Sequence, residues 1–189
     1  MKEKKRLAVF FPGVGYTPEK PLLYHSRRVA EALGFDCLTL TFSGFPKKIK
    51  GDEKKMRKSF GLALSQARAQ LQDADLDAYD EIVFVGKSIG AVAAAALAAE
   101  FGCARLVLYT PLKPAFIFPL PKAIVFTGSA DPWVGRGQIL ALCAEKGVPC
   151  TVIPDANHSL ETGEPLRDLE RLRGIMTETE QFLKEGRSE

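Results

Sequence analysis

The chain has 189 residues, of which 46% are apolar and 26% are charged, and this composition excludes a disordered or fibrous protein. A chain of this length is most simply one domain, residues 1–189, with one hydrophobic core. The formal net charge is only +3, so no large basic surface indicates binding to nucleic acid.

Six short runs rich in Val, Ile, Leu and Phe are predicted as strands. Near-continuous apolar character, rather than strict alternation, is typical of strands buried on both faces of a parallel sheet. The predicted strands are 6–11, 36–42, 81–86, 104–109, 122–128 and 148–153, and the predicted helices are 21–33, 53–72, 89–101, 134–146 and 165–184. This alternation indicates an α/β fold with a mainly parallel sheet of about six strands flanked by helices.

Two connections have an unusual composition. The segment 110–121 contains four prolines and no helical pattern, so we expect irregular chain there. The segment 47–58 carries seven Lys or Arg residues against Asp52 and Glu53. A solvated loop and helix start explains this segment, and a docking site for an anionic substrate tail or partner is the alternative.

Neither a targeting segment nor a metal site is indicated. The basic N-terminal residues precede an apolar run, Leu7 to Phe11, that is too short for a signal peptide. No apolar stretch reaches the roughly 20 residues that a membrane span requires. The four cysteines have no zinc-ligand or C-x-x-C spacing and are interpreted as structural. We therefore expect a cytoplasmic protein with no membrane span, no metal and no cofactor.

The stretch GKSIG, residues 86–90, matches two motifs. As a P-loop it would need a glycine five residues before Gly86-Lys87, but Glu81 is there, and the intervening residues read as a strand. As a nucleophile elbow it needs a strand, a tight turn with small residues on both sides of a serine, and a helix. All three are present around Ser88, which is therefore the candidate nucleophile.

A serine hydroxyl needs a histidine to accept its proton and an acid to orient that histidine. The chain has two histidines. His158 follows the last predicted strand, at the same sheet edge as Ser88, whereas His25 lies within the first predicted helix and is interpreted as a surface residue. His158 is therefore the candidate base.

The acid is expected after a strand between the serine and the histidine. Asp131 follows the fifth predicted strand and is the candidate, although a helix cap before Trp133 would also explain it. Asp155 is a competitor, but it lies close to His158 in sequence. For the oxyanion hole, one backbone N–H is expected from Ile89 and the other from Val14 in the turn PGVGY.

Taken together, the elbow GKSIG, the acid turn GSADPWV (128–134) and the histidine loop NHSLE (157–161) resemble the α/β-hydrolase family. The resemblance extends from Val9 to the last predicted helix and is greatest to small, lidless members related to dienelactone hydrolases. It implies a single α/β-hydrolase domain that lacks the first two strands of the full sheet and has no cap domain. Ser88 stands where dienelactone hydrolases have cysteine, so their substrate is not implied, and Pro12-Gly13 replaces the His-Gly pair of many members.

The resemblance implies a serine hydrolase that cleaves a small ester or thioester, as a carboxylesterase or thioesterase does. Possible substrate contacts are Gly13, Tyr16, Lys87, Phe116 and Trp133. Core packing would equally explain the aromatic residues, and an outward-facing solvated lysine would explain Lys87.

Peptidase and acyltransferase activities fit the same motifs. A catalytically silent fold that acts as a binding or scaffold protein is the alternative, since fold does not fix function. The sequence does not define the oligomeric state.

Overall fold

Strands and helices alternate throughout residues 4–185, which a computed structural model describes; the predicted domain range, 1–189, extends past them at both ends. The strands β1 to β6 are Arg6–Phe11, Asp36–Thr39, Glu81–Lys87, Arg105–Tyr109, Lys122–Gly128 and Cys150–Ile153. The helices α1 to α5 are Pro21–Ala32, Glu53–Gln72, Ile89–Leu97, Arg136–Lys146 and Pro165–Lys184. Two 3₁₀ helices, Leu76–Ala78 and Lys113–Ile117, lie in the connections.

The six strands form one sheet in the order β2-β1-β3-β4-β5-β6, and every neighbouring pair is parallel. The predicted parallel sheet is therefore confirmed. The chain leaves β1 toward β2 and then returns to place β3 on the other side of β1. At such a switch point the loops diverge and leave a crevice outside the carboxyl ends of the strands, where α/β proteins bind ligands.

The sheet is covered on both faces, which explains why its central strands are almost continuously apolar, whereas the edge strands β2 and β6 are less buried. In β1, Leu7 and Val9 face the layer of α2, α3 and α4, whereas Ala8 and Phe10 face α1 and α5. Each face thus buries its own hydrophobic cluster, as a doubly covered parallel sheet requires. No helix within residues 4–185 is long and apolar enough to cross a membrane.

The second strand is shorter than predicted because a helix supplies the next hydrogen bonds. Beyond Leu40, the backbone of Thr41 exchanges two hydrogen bonds with the Gln70 side chain of α2, at 3.0 and 2.9 Å. Ser43 does the same with Gln66, at 2.9 and 3.0 Å. Two glutamine amides therefore hold the chain after β2 in place without a strand partner.

The proline-rich segment 110–121 has no α-helix, as predicted, but it is more regular than expected. Its 3₁₀ helix, Lys113–Ile117, packs against α3 and α4. This packing turns Ala115 and Phe116 into the core and leaves Ile117 exposed.

Candidate active site

Ser88 occupies the sharp turn between β3 and α3. Its backbone has φ 56° and ψ −117°, a conformation that costs a residue with a Cβ roughly 1–3 kcal/mol. The surrounding structure holds this strain, because Ser88 N–H donates to the carbonyl of Tyr109 at 3.0 Å and Ala91 N–H donates to the carbonyl of Ser88 at 3.1 Å. The turn presents the hydroxyl at the carboxyl edge of the sheet, as the elbow prediction requires.

Close backbone approach explains the glycines on both sides of Ser88. A Cβ on Gly86 would lie 2.6 Å from the Cα of Ala91, and a Cβ on Gly90 would lie 2.3 Å from the carbonyl oxygens of both Phe11 and Pro12. These neighbours are backbone atoms, which cannot rotate away. The start of α3 can therefore pack against the end of β1 only with glycine at position 90.

We expect Gly90→Ala to lower the free energy of unfolding by about 3 kcal/mol or more, because the added methyl group overpacks two carbonyl groups. Gly61→Ala is the matched control, since Gly61 lies within α2 and a Cβ there meets nothing within 4 Å. That variant should gain about 0.5–1 kcal/mol from helix propensity. Urea denaturation of both variants makes the comparison, and equal stabilities would contradict the packing described for the elbow.

Two hydrogen bonds join the side chains of Ser88, His158 and Asp131. His158 Nε2 lies 2.8 Å from Ser88 Oγ, and His158 Nδ1 lies 2.8 Å from Asp131 Oδ2. The three residues follow β3, β6 and β5 and meet at one edge of the sheet. With the imidazole proton on Nδ1, Nε2 is free to accept the serine proton.

Both carboxylate oxygens of Asp131 have hydrogen-bond donors. Oδ1 accepts from the backbone N–H of Trp133 at 2.8 Å, while Oδ2 faces the His158 ring. The alternative interpretation of Asp131 as a helix cap is wrong, because α4 begins at Arg136 with Gly135 as its N-cap; the bond to Trp133 lies in the turn before that helix. The bond to Trp133 fixes the rotation of the carboxylate, so Oδ2 is aligned with Nδ1.

Two residues hold the loop that carries His158, one through its backbone and one through its ring. Thr110, at the end of β4, donates its hydroxyl proton to the carbonyl of His158 at 3.0 Å. The Trp133 ring lies against the imidazole, with centroids 5.3 Å apart. Burial lowers the pKa of His158 from its ordinary value of 6.5, although Asp131 acts to raise it, and the positive charge of Lys87 lowers it further.

The turn after β1 lies directly against Ser88. Gly13 and Tyr16 exchange backbone hydrogen bonds of 3.0 and 3.3 Å, which close the turn PGVGY and leave Val14 at its exposed tip. A Cβ on Gly13 would lie 3.4 Å from the Cβ of Ser88. Ile89 is the first residue of α3, where backbone N–H groups have no partner within the helix. Val14 and Ile89 both line the cavity over Ser88.

A cavity of about 660 Å³ opens over Ser88 and His158. Three of the predicted substrate contacts, Tyr16, Lys87 and Trp133, line it, and Gly13 lies behind Ser88 without lining it. Phe116 does not: its side chain is 3% exposed and packs in the core, because the 3₁₀ helix turns it inward. Phe116 is therefore removed from the predicted substrate contacts.

Lys87 is buried, contrary to the solvated lysine that was the main alternative. It is the last residue of β3, and only 1% of its surface is exposed. Its Nζ lies over the Tyr16 ring, 5.0 Å from the centroid. Burial lowers the pKa of Lys87 to about 7, while the nearby carboxylates of Asp131 and Glu161 act to raise it.

Much of the cavity wall comes from residues outside the predicted substrate contacts, although anionic docking was the alternative noted for segment 47–58. The chain between β2 and α2 contributes Phe45, Pro46, the basic residues of 47–50, and Ile49, and Leu112 follows β4. Their position along the chain could have predicted this role, because these residues follow strands that end at the sheet edge that carries Ser88. The apolar residues among them carry no chemical motif, so their role was not visible in the sequence.

The remaining candidates lie outside the cavity wall. His25 is exposed on α1 and packs edge-on against Tyr24. Asp155 is exposed and pairs with Arg167, at 3.3 Å, and with Arg171. Within residues 4–185, no group of three or more His, Cys, Asp or Glu side chains is arranged to hold a metal ion.

Comparison with known proteins gives matches by structure and none by sequence: no family model and no curated protein matches the chain. An α/β serine hydrolase homologue from Coxiella burnetii has a TM-score of 0.69 at 17% identity, covering 94% of this chain and 86% of that one. An α/β serine hydrolase without a lid, from Xanthomonas campestris, has a TM-score of 0.64 at 18% identity, covering 94% and 82%.

Est1E from Butyrivibrio proteoclasticus is also similar, with a TM-score of 0.67 at 16% identity and coverage of 94% and 89%. Another structure of that protein has ferulic acid bound. These similarities extend over nearly the whole chain. They show that it has the α/β-hydrolase fold in the form without a lid.

Proposed function

We propose that this protein is a serine hydrolase that cleaves a small ester or thioester through an acyl-enzyme on Ser88. The observation that carries the proposal is the hydrogen-bonded chain from Ser88 through His158 to Asp131, with both contacts at 2.8 Å. A catalytically inactive binding protein does not require these three side chains to be aligned by hydrogen bonds. A displaced His158 loop would have favoured the binding role, whereas Thr110 and Trp133 hold this loop in place.

In the acylation step, Ser88 Oγ attacks the carbonyl carbon of the substrate while His158 Nε2 takes the hydroxyl proton. The carbonyl π bond breaks and its electrons move to the oxygen, which becomes the oxyanion. When the tetrahedral intermediate collapses, Nε2 returns the proton to the departing alkoxide or thiolate. Asp131 keeps the imidazole in the correct tautomer and stabilises its positive charge.

In the deacylation step, His158 removes a proton from water, and the hydroxide formed attacks the acyl carbon. The bond to Ser88 Oγ then breaks, and Nε2 protonates that oxygen. The products are a carboxylic acid and the free enzyme. The backbone N–H groups of Ile89 and Val14 are the donors that we assign to the oxyanion in both steps.

A small-molecule acyl substrate fits the cavity better than a polymer. Its volume of about 660 Å³ is in the range of small-molecule sites. The lidless fold leaves the cavity open, so an acyl-enzyme on Ser88 can be reached by water, which favours hydrolysis over acyl transfer. Est1E, a structural neighbour with ferulic acid bound, suggests including hydroxycinnamate esters among the substrates tested.

The unpaired state of the cysteines is compatible with a reducing compartment. Cys37, Cys103, Cys143 and Cys150 are all free, and two of them are buried. Free cysteines are typical of proteins from the cytoplasm. We therefore infer a cytoplasmic location for the hydrolase.

The pH dependence of 4-nitrophenyl acetate hydrolysis tests the proposal. The base must be neutral to act, so kcat/KM falls as His158 becomes protonated at low pH. Because burial lowers the pKa of His158, we expect the acidic limb to have its midpoint below 6.5. Absence of hydrolysis by the folded protein, or a rate without an acidic limb, would contradict the proposal.

The variant Trp133→Ala tests whether burial is the cause of the lowered pKa of His158. In Trp133→Ala the ring that covers the imidazole is removed, while the backbone N–H that binds Asp131 stays. Water then reaches His158, so the midpoint should rise toward 6.5. An unchanged midpoint would mean that the acidic limb belongs to another group.

A further inference from the structure

Positive charge dominates the wall of the Ser88 cavity. Four of its lining residues are lysines, namely Lys47, Lys48, Lys50 and Lys87, and none is an aspartate or glutamate. A concave surface with one sign of charge attracts ligands of the opposite sign, and its field is strengthened by the low dielectric of the walls. Overall charge does not account for the cluster, because the chain carries 26 basic and 23 acidic residues.

The basic segment, residues 45–50, is held against the cavity at both ends. Before it, glutamine side chains of α2 bind the backbone of Thr41 and Ser43. After it, Asp52 caps α2 by accepting a hydrogen bond from Lys55 N–H at 3.0 Å. Within it, the side chain of Ile49 is buried. These anchors hold the lysines of the segment at the cavity rather than on a free loop.

The segment also reaches the residues around the base. Lys50 Nζ lies 5.9 Å from the centre of the Trp133 ring, and that ring lies against His158. Lys48 has φ 55°, a left-handed conformation that favours glycine and persists where the surroundings impose it. Positive charge therefore lies beside the ring that covers the base, and the charges of Lys50 and Lys87 both act to lower the pKa of His158.

Lys87 provides a second, independent indication of an anion. The residue is 1% exposed but lines the cavity, its Nζ lies 5.0 Å from the centre of the Tyr16 ring, and no hydrogen bond joins it to another residue of 4–185. An anion bound in the cavity would accept a hydrogen bond from this amine and would favour its charged form, which burial disfavours. Asp131 is already bonded to His158 and Trp133, so it and Glu161 act on Lys87 through their charge and not through a hydrogen bond.

We propose that the substrate is anionic: on the hydrolase function proposed above, it is an ester or thioester with a carboxylate or phosphate group. Lys47, Lys48 and Lys50 bind this group at the cavity mouth, and Lys87 adds positive charge at the floor. The apolar side chains of Phe45, Ile49 and Met56 pack against the uncharged part of the substrate. The docking site for an anionic substrate tail, which was the alternative noted for segment 47–58, is thus assigned to residues 47–50.

Matched ester pairs test this proposal. In 4-nitrophenyl hexanoate and mono(4-nitrophenyl) adipate, a methyl group is exchanged for a carboxylate at the end of the acyl chain. In 4-acetoxybenzamide and 4-acetoxybenzoate, the charge is on the leaving group. We expect the anionic member of at least one pair to have about a tenfold higher kcat/KM. This preference should be smaller at 1 M salt, because the Debye screening length falls to roughly 3 Å. Equal efficiency within both pairs would overturn the proposal.

Charge-neutralising variants identify the lysines responsible. In the triple variant Lys47→Gln, Lys48→Gln, Lys50→Gln, the anionic-to-neutral ratio of kcat/KM should fall about tenfold. The control Lys20→Gln, Lys54→Gln, Lys58→Gln loses the same net charge from exposed positions outside the cavity wall. Its ratio should stay at the wild-type value, and an equal fall in both variants would refute binding by the basic segment.

A binding measurement keeps this proposal separate from the hydrolase function. Trp133 is the single tryptophan of the chain, so its fluorescence reports ligands in the cavity. In Ser88→Ala, adipate and inorganic phosphate should change this fluorescence at concentrations at least tenfold lower than dimethyl adipate does. The stronger of the two anions identifies carboxylate or phosphate. Binding without hydrolysis by the wild type would reject only the hydrolase; hydrolysis without anion binding would reject only the anionic substrate.

Discussion

Ser88→Ala should reduce hydrolysis of 4-nitrophenyl acetate to near the background rate, a loss of roughly 10⁶-fold in kcat. The substitution removes the oxygen that forms the acyl-enzyme and leaves the imidazole without its partner at 2.8 Å. The strained turn remains, because serine and alanine both carry a Cβ and are restricted alike at φ 56°. Steady-state kinetics with purified protein measures the loss.

A second serine substitution provides the control. Ser65→Ala removes a hydroxyl whose one hydrogen bond within residues 4–185 is to the carbonyl of Leu62 in its own helix, at 3.1 Å. Its kcat should stay within twofold of the wild type, and both variants should unfold at the wild-type temperature within a few degrees. Retention of more than a tenth of the activity in Ser88→Ala would show that another residue is the nucleophile.

Asp131→Asn should lower kcat by roughly 10⁴-fold while the protein stays folded. The amide can still accept the Trp133 N–H through Oδ1, so the turn keeps its shape. The opposite end now carries an NH₂ group in place of Oδ2, so it can only donate to Nδ1. The imidazole is thereby driven into the tautomer with its proton on Nε2, which cannot accept a proton from Ser88.

Asp155→Asn separates the two candidate acids. Asp155 precedes His158 by three residues, but its exposed carboxylate faces Arg167 and Arg171. We expect its kcat to remain within twofold of the wild type, because exposed ion pairs contribute little. If Asp155→Asn lost activity and Asp131→Asn kept it, the assignment of the acid would be reversed.

The fold could be predicted because its strongest signals are local. Each buried strand is a continuous apolar run, and five of the six begin and end within two residues of the prediction. The exception, β2, was predicted through residue 42 but ends at Thr39. Its continuation bonds to Gln66 and Gln70, and hydrogen bonds from a distant helix leave no trace in the pattern of apolar residues.

The positions of Ser88, Asp131 and His158 followed from topology. Residues that come after parallel strands meet at one edge, so strand assignment was enough to bring them together. Side-chain direction was harder to predict. Lys87 lies beneath Tyr16 because it continues the alternation of side chains in β3. Phe116 turns inward because of a 3₁₀ helix, which the proline-rich sequence did not predict.

Electrostatics links the site to its substrate. The buried imidazole of His158 has a lowered pKa, and the positive charge of Lys87 contributes to that lowering. Binding of an anion beside Lys87 would offset this charge and raise the pKa of His158. The acidic limb of kcat/KM, which reports the free enzyme, should therefore lie at lower pH than the acidic limb of kcat for an anionic ester.

Intact mass after exposure to a fluorophosphonate, a reagent that traps activated serines, tests the central claim most directly. We expect one adduct on the wild type and none on Ser88→Ala or His158→Ala, because the serine reacts only when His158 accepts its proton. An unmodified wild-type protein that is fully folded, or an adduct that persists in Ser88→Ala, would contradict the account of Ser88 as an activated nucleophile.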